Sequence, residues 1–142
     1  MHSAFIVLLF GLTALTGPGS AEQAVAPQTA AEFRRVIERQ FEAFRRGDGM
    51  AAFAQASPEI RALFRTPDRF MAMVEQRYMP VYRPRSYRFE DSVVWQGRPT
   101  QPVHVIGPDG AGVLALYFME HQPDGSWRIG GVELVALPER EI

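Results

Sequence analysis

Glu120 and Glu133 lie in an apolar C-terminal half and are the residues of this chain best suited to acid–base chemistry. An apolar setting disfavours the ionised carboxylate and raises its pKa toward neutrality, where a general base works. The strand register suggested by the sequence displaces the two by four residues, roughly 13 Å along the strands. That is beyond the separation of a glycosidase carboxylate pair. A bland assignment competes: Glu120 solvated near a turn, and Glu133 paired with an arginine. A second group is Tyr82-Arg83-Pro84-Arg85, where two arginines on a proline-stiffened link can hold a carboxylate or phosphate in a fork. One of those arginines can equally tie the link to Glu90, Asp91 or a helix carbonyl. Tyr82, Arg85 and Tyr117 are the binding candidates, and any of the three could polarise a carbonyl beside a glutamate base.

Metal and nucleophilic chemistry find less support. Beyond His2 the chain has only His104 and His121. With a hairpin at Gly107–Gly110, His104 is expected opposite Val113, which leaves His121 some eight residues, roughly 26 Å, along the strand. No metal ligand set converges, no Ser-His-acid signature is present, and no cofactor is expected. The phenylalanines at 33, 41, 44, 53, 64 and 70 recur at helical spacing and read as core.

Two kinds of element must position these residues, and they meet near Pro80–Ser86. Before that point the pattern is helical. Thr29, with Glu32 three residues on, forms a capping box for a helix whose apolar face carries Phe33, Val36, Ile37, Gln40, Phe41 and Phe44. Gly47 closes that helix and Asp48 caps a short successor. Ser57-Pro58 and Thr66-Pro67 each read as an N-cap followed by proline at the first helical position. The last segment places Phe70, Met73, Val74, Arg77, Tyr78 and Val81 on one stripe. After that point come strands near Tyr87–Trp95, Pro102–Ile106, Gly112–Gln122 and Trp127–Leu137. Gly107-Pro108-Asp109-Gly110 and Pro123-Asp124-Gly125-Ser126 separate the last three. The expected architecture is α+β, with three helices covering one face of a four-stranded antiparallel sheet.

Register within that sheet has a consequence. Tyr117 is expected opposite Val132, Leu116 opposite Glu133 and Glu120 opposite Ile129. One face then carries Val113, Ala115, Tyr117, Met119, Val132 and Leu134, the other Leu114, Leu116, Phe118, Ile129 and Val135 together with Glu120 and Glu133. Both are apolar, and a sheet wet on one side would alternate more cleanly. A partner subunit, the N-terminal segment or a ligand is expected to cover the second face.

The chain has 142 residues, 15 basic and 16 acidic, with a net charge of −1 and no cysteine. Every basic residue is arginine. The neutral balance gives no electrostatic footprint for nucleic acid. Without cysteine there is no disulfide, thiol nucleophile or thiolate ligand, so the apolar core must carry the stability. Ala4–Leu15 is apolar but short of the about 20 residues that span a bilayer. It runs into small residues with Gly19 and Ala21 at peptidase spacing, the pattern of a signal peptide. The expected organisation is a signal at 1–21, a flexible tether at 22–28 and one domain at 29–142, exported to the periplasm or secreted, with no transmembrane segment after signal removal.

Several phrases carry a family resemblance. They are Phe41-Glu42-Ala43-Phe44-Arg45-Arg46-Gly47-Asp48, Phe53–Arg61, Arg69–Val74, Tyr78–Ser86 and Gln122–Ile129. Together they resemble the bacterial family called domain of unknown function 4864, from about Ala31 to about Leu137. By helix–strand order the family is similar to the nuclear transport factor 2-like, or cystatin-like, superfamily. That likeness implies a curved sheet wrapped on a long helix, often enclosing a pocket and often dimeric through the sheet. It implies no catalytic residue, cofactor or substrate. Two functions follow as expectations. One is a non-catalytic module that binds a small ligand or an envelope protein, as a homodimer through the sheet. The other is an isomerase- or dehydratase-like enzyme with Glu133 or Glu120 as base.

Overall fold

A proline, not a threonine, sets the start of the first helix. In the computed structural model, which describes residues 22–138, Pro27 stands at the first position of α1 (Pro27–Arg46) and Ala26 is its extended N-cap. Proline fits there because the position needs no intrahelical N–H and its fixed φ is already helical. Thr29 and Glu32, expected as a capping box, therefore lie inside the helix. The segment 1–21, expected as a signal peptide, falls outside the described residues.

The helix ends as its sequence requires. Gly47 takes φ +71°, its N–H donates to Phe44 O, and Asp48 N–H reaches back to Ala43 O at 2.8 Å. These are the paired closing bonds of a glycine-terminated helix. Four short helices follow: α2 (Gly49–Ala54), α3 (Pro58–Phe64), α4 (Pro67–Arg77) and α5 (Met79–Tyr82). Asp48, Ser57 and Thr66 cap the first three, each side-chain oxygen accepting from an N–H three residues on.

The strands are β1 (Glu22–Ala24), β2 (Ser86–Phe89), β3 (Val93–Trp95), β4 (Arg98–Ile106), β5 (Gly112–His121) and β6 (Trp127–Ala136). They form one antiparallel sheet in the order β1-β3-β4-β5-β6, with β2 also pairing with β4. The fold is α+β, but the described residues form five helices and six strands rather than the three and four expected. Two local causes account for the extra strands. Glu22–Ala24, expected within a tether, pairs with Val93–Trp95 and covers the backbone edge of β3. The strand expected at Tyr87–Trp95 is broken at Glu90–Ser92, and both halves lie along β4. Buried Gln101 fills the break: its amide donates to Glu90 O (2.7 Å) and Pro102 O (2.8 Å), while Ser92 Oγ donates to its Oε1.

The connections follow their turn chemistry. Gln96 (φ +52°) and Gly97 (φ +77°) make a two-residue hairpin turn between β3 and β4. In β4–β5 and β5–β6 a Pro-Asp-Gly turn leaves glycine in the left-handed region, and the aspartate accepts from the N–H two residues on.

Two cores result. Phe33, Val36, Ile37 and Phe41 of α1 pack on Val103, Val105, Ala115, Tyr117, Met119 and Ile129 of the sheet. Ala43 and Phe44 of the same helix pack with Ala52, Phe70 and Val74 of α2 and α4. The opposite sheet face, with Leu114 and Leu116 half-buried and Val135 exposed, is the second apolar face expected from the sequence.

Register on the last hairpin needs one correction. Tyr117 faces Val132 and Leu116 faces Glu133 as expected, but a bulge falls between Phe118 and Met119. Phe118 pairs with Gly131 and Met119 with Ile129, so Gly130 is the extra residue on β6. Glu120 consequently faces Arg128, not Ile129, and Ile129 turns to the core face. His104 likewise faces Leu114, one residue from the expected Val113.

Gln101→Ala removes the only described side chain that bonds both Glu90 O and Pro102 O. Pro102 O keeps the Glu90 N–H, so the expected loss is about 1–3 kcal/mol for Glu90 O left without its donor, read from the denaturant midpoint. An unchanged midpoint would show that the break is held by something else.

Candidate functional site

The two cores share α1 but do not meet along its whole length. Between them, against β6, lies a cavity of about 700 Å³. Small-molecule sites occupy about 300–1,000 Å³. Its walls are mainly apolar: Phe44 from α1, Ile60 and Phe64 from α3, Phe70 and Met73 from α4, and Val132 from β6.

Each wall is held by a specific device. The α2–α3 link docks on the β6 edge through a short parallel bridge, with Ser57 N–H donating to Ile129 O and Ile129 N–H to Gln55 O, both 2.8 Å. Tyr78, between α4 and α5, donates its hydroxyl to Val132 O (3.3 Å) and ties the far wall to the same strand. Helix α3 is tied at its N-terminal end by the parallel bridge and at its C-terminal end by Phe64, whose ring meets Phe70 edge-on at 6.0 Å. It buries no residue fully, and Leu63, which lines the cavity, is 70% exposed. Arg65, which ends it, has φ +71° and ψ −42°, and Thr66 N–H donates to Phe64 O (2.8 Å), the bond of a strained γ-turn.

Polar groups in the lining are few. Gln40 is buried and its amide donates to Ala52 O (3.1 Å), bracing α1 against α2. Arg69 and Arg77 line the cavity from α4 with exposed side chains. No carboxylate lines it among the described residues. Residue type alone carried a signal for two of these. Gln40 and Arg77 both fall on stripes that are otherwise apolar, which is where a polar side chain facing a cavity would appear. Arg69 gave no such signal.

None of the five residues singled out from the sequence lines this cavity, and they do not converge elsewhere. Glu133 is exposed, on the sheet face away from the helices. Tyr117 is wholly buried beneath Phe41, with its hydroxyl unbonded among the described residues, and desolvation pushes its pKa well up. Tyr82 packs on Phe44, 5.5 Å between ring centroids. Arg85 is exposed, with its N–H donating to Ile106 O. Arg83 takes the bland alternative, donating to the helix carbonyl of Phe44 (2.6 Å) and lying over the Tyr82 ring. His121 stacks on Trp127, far from His104 in register, and no group of three or more ligating side chains could hold a metal among the described residues.

Glu120 has an environment of its own. The bulge lays its carboxyl across Gly130, where an added Cβ would lie 2.6 Å from the carboxyl carbon. Desolvation raises its pKa, Glu59 on α3 raises it further, and Arg98 opposes both. Arg128 is its neighbour across the strand pair. This contact joins α3 to the sheet, outside the cavity.

A raised folded pKa means that the stability contributed by Glu120 is complete below its unfolded pKa and is lost as pH rises through the folded value. Glu120→Gln removes that loss. The variant should melt higher than wild type at pH 7, and the difference should shrink toward pH 4. An equal difference at both pH values would show that the Glu120 carboxyl is not held above its ordinary pKa in the folded chain.

No described helix is long and apolar enough to cross a membrane. No curated protein and no solved structure matches the chain. A family does: residues 26–142 match the domain of unknown function DUF4864, and with nearly all of the described structure inside that match, the chain belongs to this family.

Proposed function

We propose that this protein is an exported, non-catalytic module that takes a small apolar ligand into the cavity between its two cores. One observation carries the reading: about 700 Å³ of mainly apolar space beside a short helix that buries no residue of its own. Catalysis would call for a titratable group facing the bound molecule. Among the described residues the lining offers two amides (Gln40 and Gln76), a tyrosine hydroxyl committed to a backbone carbonyl, and two arginines, but no general base. Export is supported by the apolar stretch Ala4–Leu15 and the small residues after it, which favour a periplasmic or secreted protein. The order of a long helix followed by an antiparallel sheet favours the nuclear transport factor 2-like arrangement.

Nile red, a neutral dye that brightens in apolar surroundings, tests the cavity. Native protein should take it up saturably, one per chain. Met73→Trp, which fills the space from α4, should abolish the uptake while the folded circular dichroism persists. Failure of the native protein to take up dye, or equal uptake by the filled variant, removes the reading.

A further inference from the structure

We propose that the ligand is a single-chain amphiphile: an aliphatic tail in the cavity and an anionic head at its rim, held by Arg69 or Arg77. This deepens the preceding proposal and rests on it. Among the described residues the charge of the lining is one-sided, with two guanidinium groups, no carboxylate, and apolar walls between. Both arginines belong to α4, eight residues apart, which is about 12 Å along a helix. Their positions flank Phe70, Met73 and Val74, so the two cations bracket the apolar stretch that α4 contributes.

The setting of the arginines matters as much as their number. Arg45, Arg46 and Arg88 are paired with carboxylates. Neither Arg69 nor Arg77 meets an acceptor among the described residues. A guanidinium whose aliphatic stem lies on apolar surface while its head stays in water suits the boundary between a buried tail and a hydrated anion. A wholly neutral hydrocarbon would leave both cations unused. A small polar anion would leave the walls wet. An amphiphile satisfies both parts of the lining, and Arg presents the planar donor fork that fits carboxylate and phosphate alike.

The experiment is displacement of Nile red by dodecanoate, dodecyl phosphate and dodecanol, each below its micelle-forming concentration. It is run on the full chain and on the Arg69→Gln/Arg77→Gln double variant. On the wild-type protein the anions should bind about tenfold or more tighter than the alcohol, the scale of one charge-assisted hydrogen bond. The advantage should shrink as salt is added. The double variant should bind anions and alcohol alike. Whichever anion leads identifies the head group. Equal affinity for alcohol and anions in the wild type, or an anion preference that survives in the double variant, overturns the head-group assignment while leaving an apolar ligand site intact. Absence of dye uptake in the first place counts against the site itself.

Discussion

Everything in this fold leans on one helix. Helix α1 gives Phe33, Val36, Ile37 and Phe41 to the sheet, and Ala43 and Phe44 to the helical cluster of α2 and α4. A helix between two layers needs a wider apolar surface than a stripe facing one. Here the second surface is concentrated toward the C-terminal end, and it includes a buried glutamine. The amide of Gln40 fixes α2 through Ala52 O, so a polar group secures the junction from which the two cores diverge. The cavity is the space left by that divergence, and its position follows from where α1 changes partner.

The second constraint lies at the free edge of β6. An unpaired strand edge invites unwanted pairing. This one is covered from within the chain: the α2–α3 link bonds Ile129 on both its N–H and its carbonyl, and Tyr78 bonds Val132. Those contacts also form the cavity's two ends. Edge protection and site construction are thus the same set of hydrogen bonds. The bulge at Gly130 makes this possible by turning Ile129 to the inner face, where its side chain joins the main core.

The sequence disclosed what is written locally. The caps at Asp48, Ser57 and Thr66, the closing Gly47 and the two Pro-Asp-Gly hairpins are decided by one or two side chains each, and they stand where expected. Register between β5 and β6 was legible as far as the bulge. Past it the count slips by one, because two consecutive glycines in a strand signal a bulge without saying which residue is extra. The broken strand at Glu90–Ser92 was hidden, since its cause is Gln101, on another strand and buried. The site was the least legible part. Titratable residues in apolar company are what the pattern marks, and here Glu133, Glu120 and Tyr117 lie on an outer face, at a bulge and in a core. The cavity depends instead on what two cores fail to fill, a quantity no single residue encodes.

A magnitude relates that gap to function. Enclosed voids cost about 24 cal/mol for each Å³, so a dry, sealed space of about 700 Å³ would cost roughly 17 kcal/mol. That exceeds the about 5–15 kcal/mol by which domains are stable at all. A cysteine-free chain has no disulfide to offset such a loss. The space is therefore tolerable only if water or a ligand has access to it, and its lining includes the exposed Leu63 of α3 and the exposed Arg69 and Arg77 of α4. Water against apolar walls is a poor occupant, because the hydrophobic contact it prevents is the main force available to the fold. A tail that replaces this water returns that contact, and by mass action its binding stabilises the folded chain. Stability and ligand uptake thus meet in the same pair of facing surfaces, one side supplied by α4 and the other by β6.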